Sequence, residues 1–281
     1  MRQTICILLS ICLAACGADQ ASNAVGTADK PMRIVSLDYC ADQFVLKLAD
    51  REQILAISPD GVKDFSYMRD EAVGVPTVRP LAENILILKP DLVVRSYGGG
   101  PRAARFFERA GIPVINLPWT TNIDREEDGS IPSLIRHVAD GMGQSERGDA
   151  LVDEFRNRIE TIGEPNKDKA ALYLPSSGFT SGPGSLIHDM LVLAGYDNFE
   201  SEPGWHSVNL EELVYDSPDM VAAAAFGARA YLPDTWSPMQ HPVIERQLET
   251  RPVVRLDGAV TACSGWFLAD AIEALAEGAE Q

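Results

Sequence analysis

Basic residues are scarce. The chain carries 24 Lys+Arg against 41 Asp+Glu, a formal charge of −17. A surface that acidic repels phosphate backbones, which excludes nucleic acid as a partner. Histidine is nearly absent as well. The four, at positions 137, 188, 206 and 241, include no pair at the i,i+3 or i,i+4 spacing that sets two imidazoles on one metal. No CxxC pair occurs, which removes the usual zinc-knuckle and dithiol redox motifs. There is no Gly-x-Ser-x-Gly elbow for a nucleophilic serine, and Gly182-Pro-Gly-Ser185 does not fit one. The triple glycine Gly98 to Gly100 lacks a following Lys-Ser/Thr, so it is not a nucleotide loop. Past the N-terminus no apolar run approaches the ~18 residues of a membrane span. Catalysis has little support.

What is present suits a two-domain globular chain: 281 residues, 46% hydrophobic and 23% charged. The first residues are an address rather than structure. Arg2 precedes the apolar run Ile5 to Ala15, with small residues just before Cys16, the pattern of a secretory signal. Leu13-Ala14-Ala15-Cys16 resembles the bacterial lipoprotein box, in which Cys16 is lipidated. Gly17 to Lys30 is small, polar and aperiodic, as a flexible tether would be. Of five cysteines, Cys6 and Cys12 leave with the signal and Cys16 is the anchor. Cys40 and Cys263 remain, a pair in an oxidising compartment, with bonded and free forms both open on sequence alone.

The body alternates short β-branched runs with helical patterns. Strands are expected at 33–37, 54–57, 91–95, 112–117, 170–174, 220–224 and 252–256, and helices at 42–49, 102–110, 185–194 and 267–276. Alternation of this kind predicts parallel α/β sheets. An internal repeat divides the chain in two. Glu83-Asn-Ile-Leu-Ile-Leu-Lys-Pro-Asp-Leu-Val93 aligns without gaps to Glu211-Glu-Leu-Val-Tyr-Asp-Ser-Pro-Asp-Met-Val221. Each reads as a short helix broken by Pro and feeding a strand. Between the halves, Leu151, Val152, Phe155, Ile159 and Ile162 fall on one helical face. The predicted helix runs from Ser145, its expected cap, to Ile162 and is stopped by Gly163 and Pro165. At 1.5 Å per residue it spans roughly 27 Å, a stiff link between lobes.

These pieces together resemble a periplasmic substrate-binding protein of the helical-linker class, which serves ABC importers for vitamin B12, ferric siderophores and haem. The resemblance is carried by the lipobox, Arg33-Ile-Val-Ser-Leu37, Leu88-Lys-Pro-Asp-Leu-Val93 and Gly141 to Ala150. In the second half it is carried by Gly182-Pro-Gly-Ser185, Leu193-Ala-Gly195, Gly204-Trp205 and Pro218-Asp219. One departure is Ala41-Asp42, where the family often has Thr-Glu. The resemblance implies two Rossmann-like α/β lobes with central parallel sheets, joined by a single rigid helix. Its division of this chain is a signal peptide at 1–15, a tether at 16–32, a lobe at 33–143, a linker helix at 144–164 and a lobe at 165–281. It also implies a ligand held between lobes, no cofactor, an importer permease with its ATPase subunits as partner, and docking on arginines of that permease by one glutamate per lobe, Glu83 and Glu211. The chain is then a periplasmic monomer, touching the membrane only through Cys16.

Parallel sheets bind ligands beyond the carboxyl ends of their strands. The loops there hold Tyr39, Arg95, Tyr97, Trp119, Phe179, Phe226-Gly227 and Trp266, and Trp205 matches a position where the family places a cleft aromatic. All four tryptophans are read as loop residues, although only 7% of the chain is aromatic. A wall of aromatics suits a large, flat, partly apolar ligand such as a corrin or porphyrin. Arg95 and Arg102, bracketing the triple glycine, suit instead an anionic ferric siderophore or haem propionates. His206 is a lone histidine and reads as structural. The expectation is therefore a receptor for a corrinoid or iron chelate. Its rivals are a haem receptor, a tetrapyrrole- or metal-chelate-processing enzyme on the same scaffold, and an adhesin-like module.

Overall fold

The computed structural model describes residues 30–125, 128–225 and 240–278. The readings at residues 1–29, including Cys16, and at Phe226-Gly227 lie outside the described residues. The first lobe runs β1 (Ile34–Ser36), α1 (Tyr39–Leu48), β2 (Ile54–Ala56), α2 (Ala82–Leu88), β3 (Leu92–Arg95), α3 (Ala103–Arg109), β4 (Val114–Asn116) and α4 (Ile131–Gly141). Its strands form a parallel sheet in the order β2-β1-β3-β4. After α5 (Ser145–Ile162) come β5 (Ala170–Pro175), β6 (Phe179–Ser181), α6 (Leu186–Leu193), β7 (Asp197–Asn198) and β8 (Trp205–Ser207). Then follow α7 (Glu212–Tyr215), β9 (Met220–Ala225), α8 (Pro242–Thr250), β10 (Val253–Asp257), α9 (Gly258–Thr261) and α10 (Leu268–Glu277). The second parallel sheet has the order β10-β9-β5-β7, and β6 pairs with β8 in a small two-stranded antiparallel sheet.

The central strands β1, β3, β5 and β9 are apolar on both faces, as a sheet covered on both sides requires. The side-chain period of two sorts residues between cores. Ile34, Leu92 and Val94 point with Ala171, Tyr173 and Met220 into one cluster that crosses between the lobes and takes in α5 and α10. Val35, Leu37 and Val93 face the opposite way, with Ile85 and Phe107. Leu172, Leu174 and Val221 do the same in the second lobe, with Leu213 and Ile244.

The repeated unit has the same construction twice. Asp91 accepts from Met32 N at 3.2 Å and donates its own N–H to Arg33 O at 2.9 Å. Asp219 accepts from Ala170 N at 2.7 Å and donates to Ala170 O at 2.8 Å. The aspartate of each Pro-Asp thus clamps the entry of its lobe's first strand, β1 or β5, and aligns that strand beside β3 or β9. Lys89, in the left-handed region at φ 50°, ends α2, and Arg33 donates to the free carbonyls of Leu88 and Lys89.

Helix α5 occupies the predicted residues, with one difference. Ser145 is its first helical residue rather than its cap; Gln144 stands at the cap with no side-chain bond to the helix, and its amide donates to Gln53 instead. Helix α1 begins at Tyr39, three residues before the expected start, because Asp38 caps it. Helix α4 has no counterpart among the predicted elements. Its signals were Ser130, which caps it, and Pro132 in its first turn. The lobes are cross-tied beyond α5. Tyr67 of the first lobe donates to Asp270 of α10 at 2.8 Å, and Arg158 of α5 pairs with Asp270 and Glu273. Cys40 and Cys263 form a disulfide, Cα–Cα 5.6 Å, that joins α1 to the segment after α9.

Candidate functional site

A cavity of about 550 Å³ lies between the lobes beyond the carboxyl ends of the strands. The first lobe contributes Tyr39 at the start of α1, Ser96 and Tyr97 after β3, and Leu117 to Thr121 after β4. The second contributes Tyr173, Ser185 to Ile187 and Met190 at α6, Trp205 from β8, and Thr261 to Ser264 after α9. The Cys40–Cys263 bridge is part of the lining, so the two walls are bonded where they meet. A larger groove of about 840 Å³ runs between α5 and α10. It lies away from the strand ends, and its one arginine, Arg158, is already spoken for by Asp270 and Glu273.

The first wall is held by one carboxylate. Asp38 Oδ1 accepts from Ala41 N at 3.0 Å. Its Oδ2 accepts from Ser96, Tyr97 and Gly98 N–H at 2.8, 3.0 and 2.8 Å. Gly98 makes the approach feasible, since a Cβ there would stand 2.3 Å from Leu37 O. This sets Tyr97 beside Tyr39, ring centroids 6.2 Å apart and edge to face, with Phe65 4.9 Å behind Tyr39. Burial, then the charge of Asp38, raises the Tyr39 phenol above its usual pKa. Burial also raises that of Tyr97, with Tyr39 and Asp38 adding to it. Both stay protonated donors. Trp119 and Trp205 are 84% and 58% exposed, facing from opposite lobes. Covering such a face releases about 1.5–3 kcal/mol of apolar contact.

Four of the expected ligand residues, Tyr39, Tyr97, Trp119 and Trp205, thus come together. Three do not. Arg95 is buried and turned into its own loop, donating to Gly98 O, Gly100 O and Asn116 Oδ1 at 2.8, 3.1 and 2.9 Å. A guanidinium beside a glycine turn has been consumed by the carbonyls that the turn leaves free. Trp266 lies in the turn before α10, as expected, but it is buried in the core rather than in the cavity, packed on Phe44, Tyr67 and Phe267 with Lys47 over its ring. Phe179 is exposed on β6, opposite Ser207, and is absent from the cavity lining. Trp205 itself lies on a strand, β8, rather than a loop. His206 points away from any metal role: its ring nitrogens face Glu202 O and Ser207 O, with Glu200 3.7 Å away. Burial works against its cation, but these carbonyls and carboxylates hold its pKa above the usual imidazole value.

The α6 residues Leu186, Ile187 and Met190 were missed as wall, although Ser185 announces their helix. Asp38 was missed as a support, although an Asp just before an apolar helical pattern is a cap signal. Among the described residues no Lys, Arg, His, Asp or Glu lines the cavity. Among the described residues the site is a neutral, aromatic slot with hydroxyls and backbone at its edges.

The profile of a family described as periplasmic binding protein matches residues 34–230. A cobalamin-binding protein of Halobacterium salinarum is 25% identical over 223 residues, covering 75% of this chain and 58% of that protein. A vitamin B12-binding protein of Salmonella typhimurium is 28% identical over 180 residues, covering 60% of this chain and 65% of that one. The chain therefore spans about three fifths of the length of these curated relatives. The fold is shared with a periplasmic heme-binding protein from Pseudomonas aeruginosa, at TM-score 0.67, 20% identity, and 88% and 91% coverage of the two chains. It is shared also with the periplasmic vitamin B12-binding protein of Vibrio cholerae, at TM-score 0.62, 19% identity, and 88% and 96% coverage.

Proposed function

The chain belongs to the periplasmic binding protein family, and from that premise we propose that it is the receptor of an ABC importer that captures a corrinoid between its lobes. The family consists of binding proteins rather than enzymes, and it works in the periplasm. The observation that carries the ligand class is the lining itself. Tyr39, Tyr97, Trp119 and Trp205 offer flat apolar faces from both lobes, with no charged side chain among the described residues of the wall. A siderophore anion or the propionates of haem would call for a cation there; of the two arginines expected to supply it, Arg95 is engaged elsewhere and Arg102 is not part of the lining. A corrin, rimmed by neutral amides, matches a slot edged by hydroxyls and backbone groups.

Within this reading residues 33–143 and 165–281 act as the two lobes and 144–164 as their linker. Cys16 is the lipid anchor. Glu83 and Glu211, exposed at the first turn of α2 and at the start of α7, meet arginines on the permease, whose ATPase subunits drive release. Carboxylate and guanidinium pair through a bidentate fork, which fixes orientation as well as attraction.

Calorimetric titration of the chain from Gly17 onward with cyanocobalamin tests the ligand, with hemin and a ferric hydroxamate as competitors. Micromolar or tighter binding of cyanocobalamin alone is expected; saturable binding of hemin with no response to cyanocobalamin refutes the corrinoid reading. For docking, the expectation is that E83K/E211K abolishes uptake in the native host and leaves cyanocobalamin affinity unchanged. Uptake at the wild-type rate would remove the role of the glutamates.

A further inference from the structure

The repeated unit carries more than its glutamate. Compared position by position, the two copies share burial as well as sequence. Ile85 and Leu213 are buried, Pro90 and Pro218 are buried, and Asp91 and Asp219 are exposed. The copies also share something that folding does not explain. Leu86 and Ile87 in α2, and Val214 and Tyr215 in α7, are all exposed, Ile87 at 77% and Tyr215 at 90%.

The buried side of each helix is already served by Ile85 in one satellite core and Leu213 in the other. The exposed pair adds nothing to either. Its placement relative to the glutamate is the same in both copies, at i+3 and i+4. Residues at those spacings share a helix face, and Glu211 already has helical backbone angles, φ −68° and ψ −42°. Each lobe thus shows a carboxylate and two adjacent apolar side chains on one face. Among the described residues neither Glu83 nor Glu211 has an ion-pair partner.

We propose that Leu86–Ile87 and Val214–Tyr215 are paired apolar contacts through which the chain seats on a membrane permease offering two equivalent surfaces, each an apolar pocket beside a cation. The inference rests on the docking reading above and adds the part that supplies contact area. Two facts select the occupant. A patch present once per lobe with the same chemistry calls for a partner that presents its complement twice. A free carboxylate in each patch calls for positive charge, which excludes a second copy of this chain, whose net charge is −17 and whose own patches would set Glu against Glu. The labour divides accordingly. The glutamates steer the encounter and set the orientation, while Ile87 and Tyr215, desolvated on contact, supply most of the residence time.

The test uses the full-length chain in its native host, with a photoreactive benzoylphenylalanine placed at Asn84 or at Glu212 as reporter. Crosslinked products are identified by mass spectrometry. Both reporters are expected to capture the same multispanning membrane protein, and I87S/Y215S to lower the yield about tenfold. These side chains are exposed, so the variant keeps its circular dichroism and its cyanocobalamin affinity. An unchanged yield in I87S/Y215S, or a second copy of this chain as the captured partner, overturns the proposal. The docking reading fails separately, when neither reporter captures a membrane protein or when E83K/E211K leaves the yield intact.

Discussion

In the first lobe the cavity wall hangs from one carboxylate: Asp38 gathers four backbone N–H groups and so sets Tyr97 beside Tyr39. In the second lobe the wall is a strand. Trp205 stands on β8, paired to β6, and its approach depends on Gly182, where a Cβ would stand 2.0 Å from Glu202 O. Asn198 adds a bond to Ser181 O at 2.9 Å. One sheet plan therefore presents aromatics by two devices, a charged staple and an antiparallel strand pair. The staple fails if a single acceptor side chain is lost; the strand pair fails only if its pairing is disrupted.

The strongest way to break the comparison is to unbond the walls. C40S/C263S removes a cross-link closing a very long loop and is expected to cost about 3–5 kcal/mol of stability, read from urea denaturation. If the loss is near zero, the bridge is not a structural tie. Next, Asp38→Ala orphans four backbone donors in the first wall. It should destabilise by about 2–4 kcal/mol and weaken cyanocobalamin binding, while Asp38→Asn, which still accepts, does less of both. Trp119→Ala and Trp205→Ala sharpen the comparison. Each side chain is exposed, so stability should hold while affinity falls about 10–100-fold; a loss confined to one variant would assign the ligand to a single lobe. The smallest effect concerns pH. Burial pushes the Asp42 carboxyl up to about 7 against the opposing bonds of Ser36 and Ser58. The folded state then holds its proton more tightly than the unfolded one, so this contribution to stability is complete below about pH 4 and fades as pH rises to about 7. Thermal melts across that range should show the slope, and Asp42→Asn should flatten it.

The repeat, the strand order of events along the chain and the bounds of α5 were legible, because periodicity and Pro-Asp punctuation are local. What each side chain would meet was not. Arg95 carries the same letter whether it faces an anion or the carbonyls of its own turn, and the turn took it. Trp266 reads as a loop aromatic until Phe44 and Tyr67, far away in sequence, close over it. Asp38 and Ser130 were readable as helix caps, and their helices begin where those caps require. The contrast between matching and exposed positions in the repeat needed burial, since Ile87 and Ile85 are the same residue two places apart.

The bond between Cys40 and Cys263, 223 residues apart, makes most of this molecule a covalent circle with two tails. A protease that cuts α5, or any exposed loop inside that circle, opens the ring without producing fragments. The nicked protein keeps its mass and runs as one band until it is reduced, when it falls into two pieces. The two lobes therefore stay covalently joined after a single cut in the stretch between them.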